Sequence, residues 1–108
     1  MTQRDQLARL GQVSQLILDL RLSELHTAAR ARQDSLDRLA GLAAEPADGL
    51  SPIAAARAEL HYQRWAEARR AEINLTLARQ TADWLGAQAA ARRAFGQAQA
   101  LRGLAQKG

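Results

Sequence analysis

The chain has 108 residues and a formal net charge of +4, and it contains no cysteine and only two prolines. Four good helix formers, alanine, leucine, arginine and glutamine, supply 25, 17, 14 and 11 residues, which together are well over half of the chain. β-Branched and aromatic residues are too few to build a sheet, and the absence of cysteine excludes disulfides, thiolate catalysis and cysteine-bound metals. We therefore predict an all-α protein.

Two long helices joined by one turn are the predicted organisation. The first helix runs from about residue 3 to 44 and the second from about 52 to 104. Isolated helices are not stable in water, so we expect the two to fold back on each other. The predicted fold is all-α, a long antiparallel two-helix coiled-coil hairpin that forms a single domain over residues 1–108.

The turn between the two helices occupies about residues 45–51. Two prolines, a glycine and two acidic residues cluster around it, a composition typical of turns. Ser51 has the side chain of an N-cap residue, and Pro52 suits the first position of a helix because the missing N–H has no partner there in any case. The second helix is therefore expected to begin at Pro52.

Apolar residues recur at alternating steps of four and three along each helix, which is the spacing of a coiled-coil seam. Arg32 is the one exception in the first helix, and Gln80 is the one exception in the second. The predicted seam residues are Leu18, Leu22, Leu25, Ala29, Arg32, Leu36, Leu39 and Ala43 in the first helix, and Ile73, Leu77, Gln80, Trp84, Ala87, Ala91, Ala94, Ala98 and Leu101 in the second.

Residues 16–25 form the richest apolar stretch of the first helix. If the turn centres near Asp48, residue i lies opposite residue 96 − i, so this stretch faces about residues 71–80. Its apolar side chains cover more of the helix than one neighbouring helix can bury. Leu16 and Leu20 are therefore candidate partner-binding residues. Either a second copy of the chain or another protein could bury these apolar side chains.

Positive charge is concentrated in the second helix. Up to residue 50 the chain has six arginines and seven acids, whereas the remainder has nine basic residues and four acids. No acid follows Asp83, so all the charged residues at the end of the second helix are basic. Such an end can bind an acidic protein surface, nucleic acid or anionic lipid. The candidate binding residues here are Arg92, Arg93 and Arg102.

Aromatic and arginine side chains share one face of the second helix nearer the turn. Tyr62, Trp65 and Arg69 are spaced three and four apart, which places them on the same side. Tyrosine, tryptophan and arginine dominate protein-binding hot spots, so these three are candidate partner-binding residues. The alternative is that Trp65 packs across the hairpin and Arg69 covers its ring.

No catalytic or metal-binding motif occurs in the sequence. Phosphate-binding glycine loops, nucleophile elbows and zinc-binding HExxH are all missing. We expect no enzymatic activity, no cofactor, no metal site and no small-molecule substrate. No apolar run approaches the ~20 residues of a membrane span, and the first residues lack the apolar core of a signal peptide, so we expect a soluble, cytoplasmic protein.

A resemblance to a known family is carried mainly by the second helix. The segments 64–65 (RW), 68–74 (ARRAEIN), 77–78 (LA) and 92–98 (RRAFGQA), on a short coiled-coil hairpin, resemble FliJ-like proteins. These are stalk components of the flagellar type III export ATPase, and YscO-type proteins are their counterparts in virulence secretion. The more specific part of the resemblance is confined to about residues 64–98.

The resemblance implies a non-enzymatic accessory protein of a type III export apparatus. The helix ends would contact a hexameric export ATPase, with Arg92, Arg93 and Arg102 facing acidic residues of the ring. The face with Tyr62, Trp65 and Arg69 would meet the export gate protein or an export chaperone. The expected location is the cytoplasm, peripheral at the inner membrane through the export apparatus, with membrane contact only through protein partners.

Two other functions are compatible with the residues themselves. One is a homo-oligomeric coiled-coil scaffold or adaptor, in which self-association covers the apolar stretch. The other is a nucleic-acid-binding helical hairpin, for which the basic pI is the main argument, although no helix-turn-helix, zinc finger or basic-region zipper is present.

Overall fold

A computed structural model describes residues 2–43 and 49–107 of the chain. It contains two helices, α1 (Gln3–Ala40) and α2 (Pro52–Lys107), and the described residues include no strand. The protein is an all-α helical hairpin, and the predicted fold class is confirmed.

Side-chain caps define the start of both helices. The Thr2 hydroxyl accepts a hydrogen bond from the Asp5 backbone N–H at 3.1 Å, and the Asp5 carboxylate accepts one from the Thr2 N–H at 3.3 Å. At α2 the Ser51 hydroxyl accepts from the Ala54 N–H at 3.3 Å, and Pro52 is the first helical residue. Each cap satisfies a backbone donor that has no partner within the helix. The prediction of Ser51 as N-cap and Pro52 as first residue is confirmed.

The first helix ends four residues earlier than the predicted position near residue 44. After Ala40 the chain tightens, and the Leu42 N–H donates to the Leu39 carbonyl at 3.2 Å. Leu42 is buried, and its own carbonyl accepts a hydrogen bond from the Tyr62 hydroxyl at 2.9 Å. The burial of Leu42 and its hydrogen bond to Tyr62 stabilise a chain that leaves the helix here. Helix propensity alone would extend the helix through Ala43.

The predicted turn at about 45–51 falls partly on residues 44–48, which lie outside the described residues. Gly49 has a φ of +83°, in the left-handed region that glycine adopts without steric cost. It stands two residues before the Ser51 cap, so it sets the direction in which the chain enters α2. At its other end α2 extends to Lys107, beyond the predicted end near 104.

The helices form two compact units along the chain. We call residues 1–30 with 82–108 the terminal unit, and residues 31–81 the turn-proximal unit. In the terminal unit, α1 packs on α2 through Leu18, Ala94 and Ala98, each at most 6% exposed. The α2 side of this contact is formed by the short side chains of alanine.

The turn-proximal unit combines a small apolar core with polar bonds across the hairpin. Leu42, Ala66 and Ile73 are buried. The Arg32 Nε donates to the Thr81 hydroxyl at 3.2 Å, and the Ser35 hydroxyl donates to the Gln80 side-chain oxygen. Both residues that interrupt the apolar spacing of the sequence therefore bond to the opposite helix.

The predicted register between the helices is wrong. It places residue 78 opposite Leu18, whereas Leu18 packs on Ala94 and Ala98; it places residue 64 opposite Arg32, which bonds to Thr81. The prediction assumed a turn centred near Asp48, with α2 starting level with the end of α1. Instead, Leu42 bonds to Tyr62, ten residues into α2, so α1 pairs with later turns of α2 than expected.

The predicted seam of α2 is confirmed throughout, and that of α1 is confirmed at six of its eight positions. All predicted seam residues of α2 are buried or half-buried. In α1 the predicted Leu22 is 48% exposed and Ala43 is exposed, whereas Ser14 and Ser35 are buried. Burial of the serines costs little because the Ser14 hydroxyl donates to the Gly11 carbonyl and Ser35 to Gln80. A prediction from the spacing of apolar residues does not include buried serines.

The bond between Ser35 and Gln80 provides a stability test. We expect Gln80→Ala to lower the free energy of unfolding by about 1–3 kcal/mol, because the Ser35 hydroxyl, 3% exposed, loses its partner. The paired change Ser35→Ala with Gln80→Leu should recover most of this loss, because no buried polar group is then left without a bond. Urea unfolding followed by circular dichroism measures both. An equal loss in the paired variant would contradict the explanation.

Candidate protein-binding surfaces

Large apolar side chains lie exposed along one face of α1 in the terminal unit. Leu10, Val13, Ile17 and Leu20 follow at steps of three, four and three, so they form one stripe on the helix. Their exposed fractions are 52%, 52%, 39% and 52%, and the neighbouring Leu16 is 68% exposed. We call these five residues the α1 stripe. They include both predicted candidates of the apolar stretch, Leu16 and Leu20.

Two apolar grooves lie between α1 and α2 within the terminal unit. One, of about 280 Å³, has Arg92 and the half-exposed Phe95 among its lining residues, and we call it the Phe95 groove. The other, of about 550 Å³, lies at the helix ends and includes Arg4 and Leu104. Each groove therefore combines an apolar floor with a basic side chain, and neither includes a residue of the α1 stripe. The Phe95 groove is lined by Leu18, Leu22, Leu25, Gln88, Ala91, Arg92 and Phe95.

The basic end of α2 keeps its charge uncompensated within the described part of the chain. Arg92 and Arg93 are exposed and take part in no ion pair there. Arg102 donates a hydrogen bond to the neutral Gln15 side chain at 3.2 Å, so its charge also has no acidic counterpart. With no acid in the sequence after Asp83, the charged residues of this surface are all basic, a composition suited to an anionic partner.

Ion pairs elsewhere are local and exposed. Among the described residues, Arg21 pairs with Glu24 and Arg69 pairs with Glu72, each three residues apart on one helix. Exposed pairs of this kind contribute at most a few tenths of a kcal/mol, since water screens them. In each pair the two charges neutralise each other locally, and neither pair includes a residue from the basic end of α2.

The aromatic residues near the turn lie together, and Arg69 takes no part in their contact. The Tyr62 and Trp65 rings have centroids 5.7 Å apart at an interplanar angle of 46°. Trp65 is 56% exposed, and the Arg69 guanidinium donates to Glu72 at 3.0 Å. The alternative in which Trp65 packs across the hairpin under Arg69 is therefore wrong. The exposed Trp65 ring remains available to a partner.

Tyr62 has a structural role as well. Its half-buried ring supports Trp65, and its hydroxyl holds the Leu42 carbonyl just beyond α1. We expect Tyr62→Phe to lower the free energy of unfolding by about 1 kcal/mol, because the carbonyl loses a hydrogen bond while the ring contact stays. Thermal unfolding measures this change. An unchanged stability would show that water replaces the hydroxyl without cost.

The described residues offer no site for metal chemistry. No group of three histidine, cysteine, aspartate or glutamate residues in this part of the chain is arranged to hold a metal ion. His26 and His61 are both exposed. No described helix has a stretch long and apolar enough to cross a bilayer.

Sequence reasoning identified part of the apolar surface and missed the rest. Leu16 and Leu20 are among the exposed residues, but the stripe begins earlier, with Leu10 and Val13. The signal was present, because these residues continue the steps of three and four backward along α1. The Phe95 groove could not be found in this way, since its lining depends on the register between the helices.

Comparisons of the chain with protein-family models, with characterised proteins and with solved structures find no match. The candidate binding surfaces described above are the α1 stripe, the two grooves, the basic end of α2 and the exposed Trp65.

Proposed function

We propose that this protein is a non-enzymatic, protein-binding helical hairpin whose terminal unit docks on an acidic partner. The observation that carries the proposal is that apolar grooves and uncompensated arginines occur together on the terminal unit. An apolar anchor site beside arginine is the composition typical of a protein-binding hot spot. The charge would steer the encounter, and the groove would supply the buried contact.

The specific partner that we propose is the hexameric ATPase of a type III export apparatus. The resemblance of residues 64–98 to FliJ-like stalk proteins supports this choice, as does the uncompensated charge of Arg92, Arg93 and Arg102. In this role the terminal unit contacts acidic residues of the ring, and binding promotes assembly or activity of the hexamer. The protein acts in the cytoplasm, peripheral to the inner membrane through the apparatus.

The second surface in this proposal is the aromatic pair of the turn-proximal unit. Trp65 is more than half exposed although tryptophan has the largest side chain of all residues, and its ring contacts that of Tyr62. We assign this pair to the export gate protein or an export chaperone. Arg69 lies one turn further along α2 and would take part only by leaving its bond to Glu72.

The experiment is to add the purified protein to the export ATPase from the same organism and measure ATP hydrolysis. We expect a higher rate and a complex that is retained on gel filtration. Neither effect would appear if the hairpin has no role in export. Binding to DNA with an affinity that falls steeply with salt would instead identify a nucleic-acid-binding protein.

A further inference from the structure

Four residues of the α1 stripe have the same spacing read in either direction. Leu10 and Leu20 lie five residues on either side of position 15, and Val13 and Ile17 lie two residues on either side. The outer pair is equally exposed, since Leu10 and Leu20 are both 52% exposed, whereas Val13 and Ile17 of the inner pair are 52% and 39% exposed. A stripe with this symmetry is complementary to itself when a second copy runs in the opposite direction.

The ends of the stripe are also symmetric. One further step beyond Leu10 is Gln6, and one further step beyond Leu20 is Glu24, so polar residues end the apolar surface at equal distances from its centre. A two-fold axis between copies requires that each contact occur twice with its roles exchanged. Pairing Leu10 with Leu20 of the other copy, and Val13 with Ile17, meets that requirement for four of the five stripe residues. Leu16 lies one residue from the centre, so the two copies of Leu16 are about two residues, or ~3 Å, apart along the axis.

Charge favours self-association on α1 and opposes it at the end of α2. Residues 9–24 contain two arginines and two acids, so this segment is neutral and does not repel a second copy. The charged residues of α2 after Asp83 are all basic, so two such ends would repel each other. The charge distribution therefore favours contact between two copies at the α1 stripe, and favours an acidic partner at the basic end of α2.

We propose that the α1 stripe binds a second copy of this chain, with the two α1 helices antiparallel and their two-fold axis near residue 15. The contact joins two hairpins into a four-helix dimer. Because neither groove includes a residue of the stripe, dimerisation leaves the Phe95 groove and the groove at the helix ends uncovered by this contact. This inference does not depend on the proposed export partner.

Disulfide trapping tests the pairing, since the chain contains no cysteine of its own. The variants are Leu10→Cys and Leu20→Cys, both at exposed positions. In the antiparallel dimer, position 10 of one copy lies beside position 20 of the other, while two copies of position 10 are about ten residues, or ~15 Å, apart along the axis. A disulfide needs Cα atoms within about 7 Å. We expect the mixture of the two variants to cross-link and each variant alone to stay uncross-linked.

The other outcomes overturn the proposal. Cross-linking of each variant alone would mean a parallel dimer and would contradict the antiparallel pairing. No cross-linking, together with the mass of a single chain by light scattering at micromolar concentration, would mean that the stripe does not bind a second copy.

A second pair of variants keeps the test independent of disulfide chemistry. We expect Val13→Glu with Ile17→Glu to give a single chain by light scattering with helicity unchanged, since both side chains already lie on the surface. The control is Leu75→Glu, at a residue of α2 that is 71% exposed and lies outside the terminal unit. It should leave the dimer intact. Dimers that survive the change in the stripe would refute the assignment.

Discussion

Reversing the charge of Arg92 and Arg93 to glutamate should abolish stimulation of the export ATPase while the hairpin stays folded. Both side chains are exposed and outside any ion pair of the described residues, so the change removes no bond within the chain. It replaces attraction to an acidic surface with repulsion, and like charges at an interface cost several kcal/mol. We expect binding to weaken by about 100-fold or more, which is enough to lose the complex at micromolar concentration.

The matched control reverses Arg57 and Arg64, two exposed arginines of the turn-proximal unit. It lowers the net charge by the same amount, so a general effect of charge on encounter would appear in both variants. ATP hydrolysis is measured at several salt concentrations, and helicity is followed by circular dichroism. Stimulation by the Arg92 and Arg93 variant at the level of the unchanged protein would rule out electrostatic docking of this end. An equal loss in the control would rule out a specific site.

The all-α fold class could be predicted from the sequence because alanine, leucine, arginine and glutamine, all good helix formers, make up most of the chain. Helix formers fill both arms, and the Ser51 and Pro52 pair marks the start of α2 by a local rule that the structure obeys. The seam of α2 follows from spacing alone, since its residues from Ile73 onward are apolar or alanine apart from Gln80. Capping and spacing rules predict these features because each depends only on residues close together in the sequence.

The register could not be read in the same way, because it depends on a contact between residues far apart in sequence. The Tyr62 hydroxyl bonds to the Leu42 carbonyl, and this fixes where α1 ends relative to α2. No pattern within either helix encodes that bond. The burial of Ser35 likewise accompanies a contact between the helices, since its hydroxyl bonds to Gln80 of α2. The Phe95 groove, which depends on this register, was therefore beyond prediction, whereas the exposed Leu16 and Leu20 were not.

The alanine residues of α2 in the terminal unit provide the second test with a large expected effect. Ala94 is 4% exposed and packs in one cluster with Leu18 and Ala98. The cluster is wholly apolar, so it contains no polar side chain that could pair with a charge. We expect Ala94→Asp to lower the free energy of unfolding by about 3 kcal/mol, because a carboxylate would be forced into an apolar contact without a partner.

Ala89→Asp is the matched control, because Ala89 is an exposed residue of the same helix and the change in charge is identical. It should cost only a few tenths of a kcal/mol, mainly through the lower helix propensity of aspartate. Urea unfolding at several protein concentrations separates the loss of hairpin packing from any loss of dimer. If the two variants are equally destabilised, the helices do not close on Ala94, and the Phe95 groove, whose floor includes Leu18, loses its structural basis. A large difference would instead confirm that the small side chains hold the two helices close enough to form that groove.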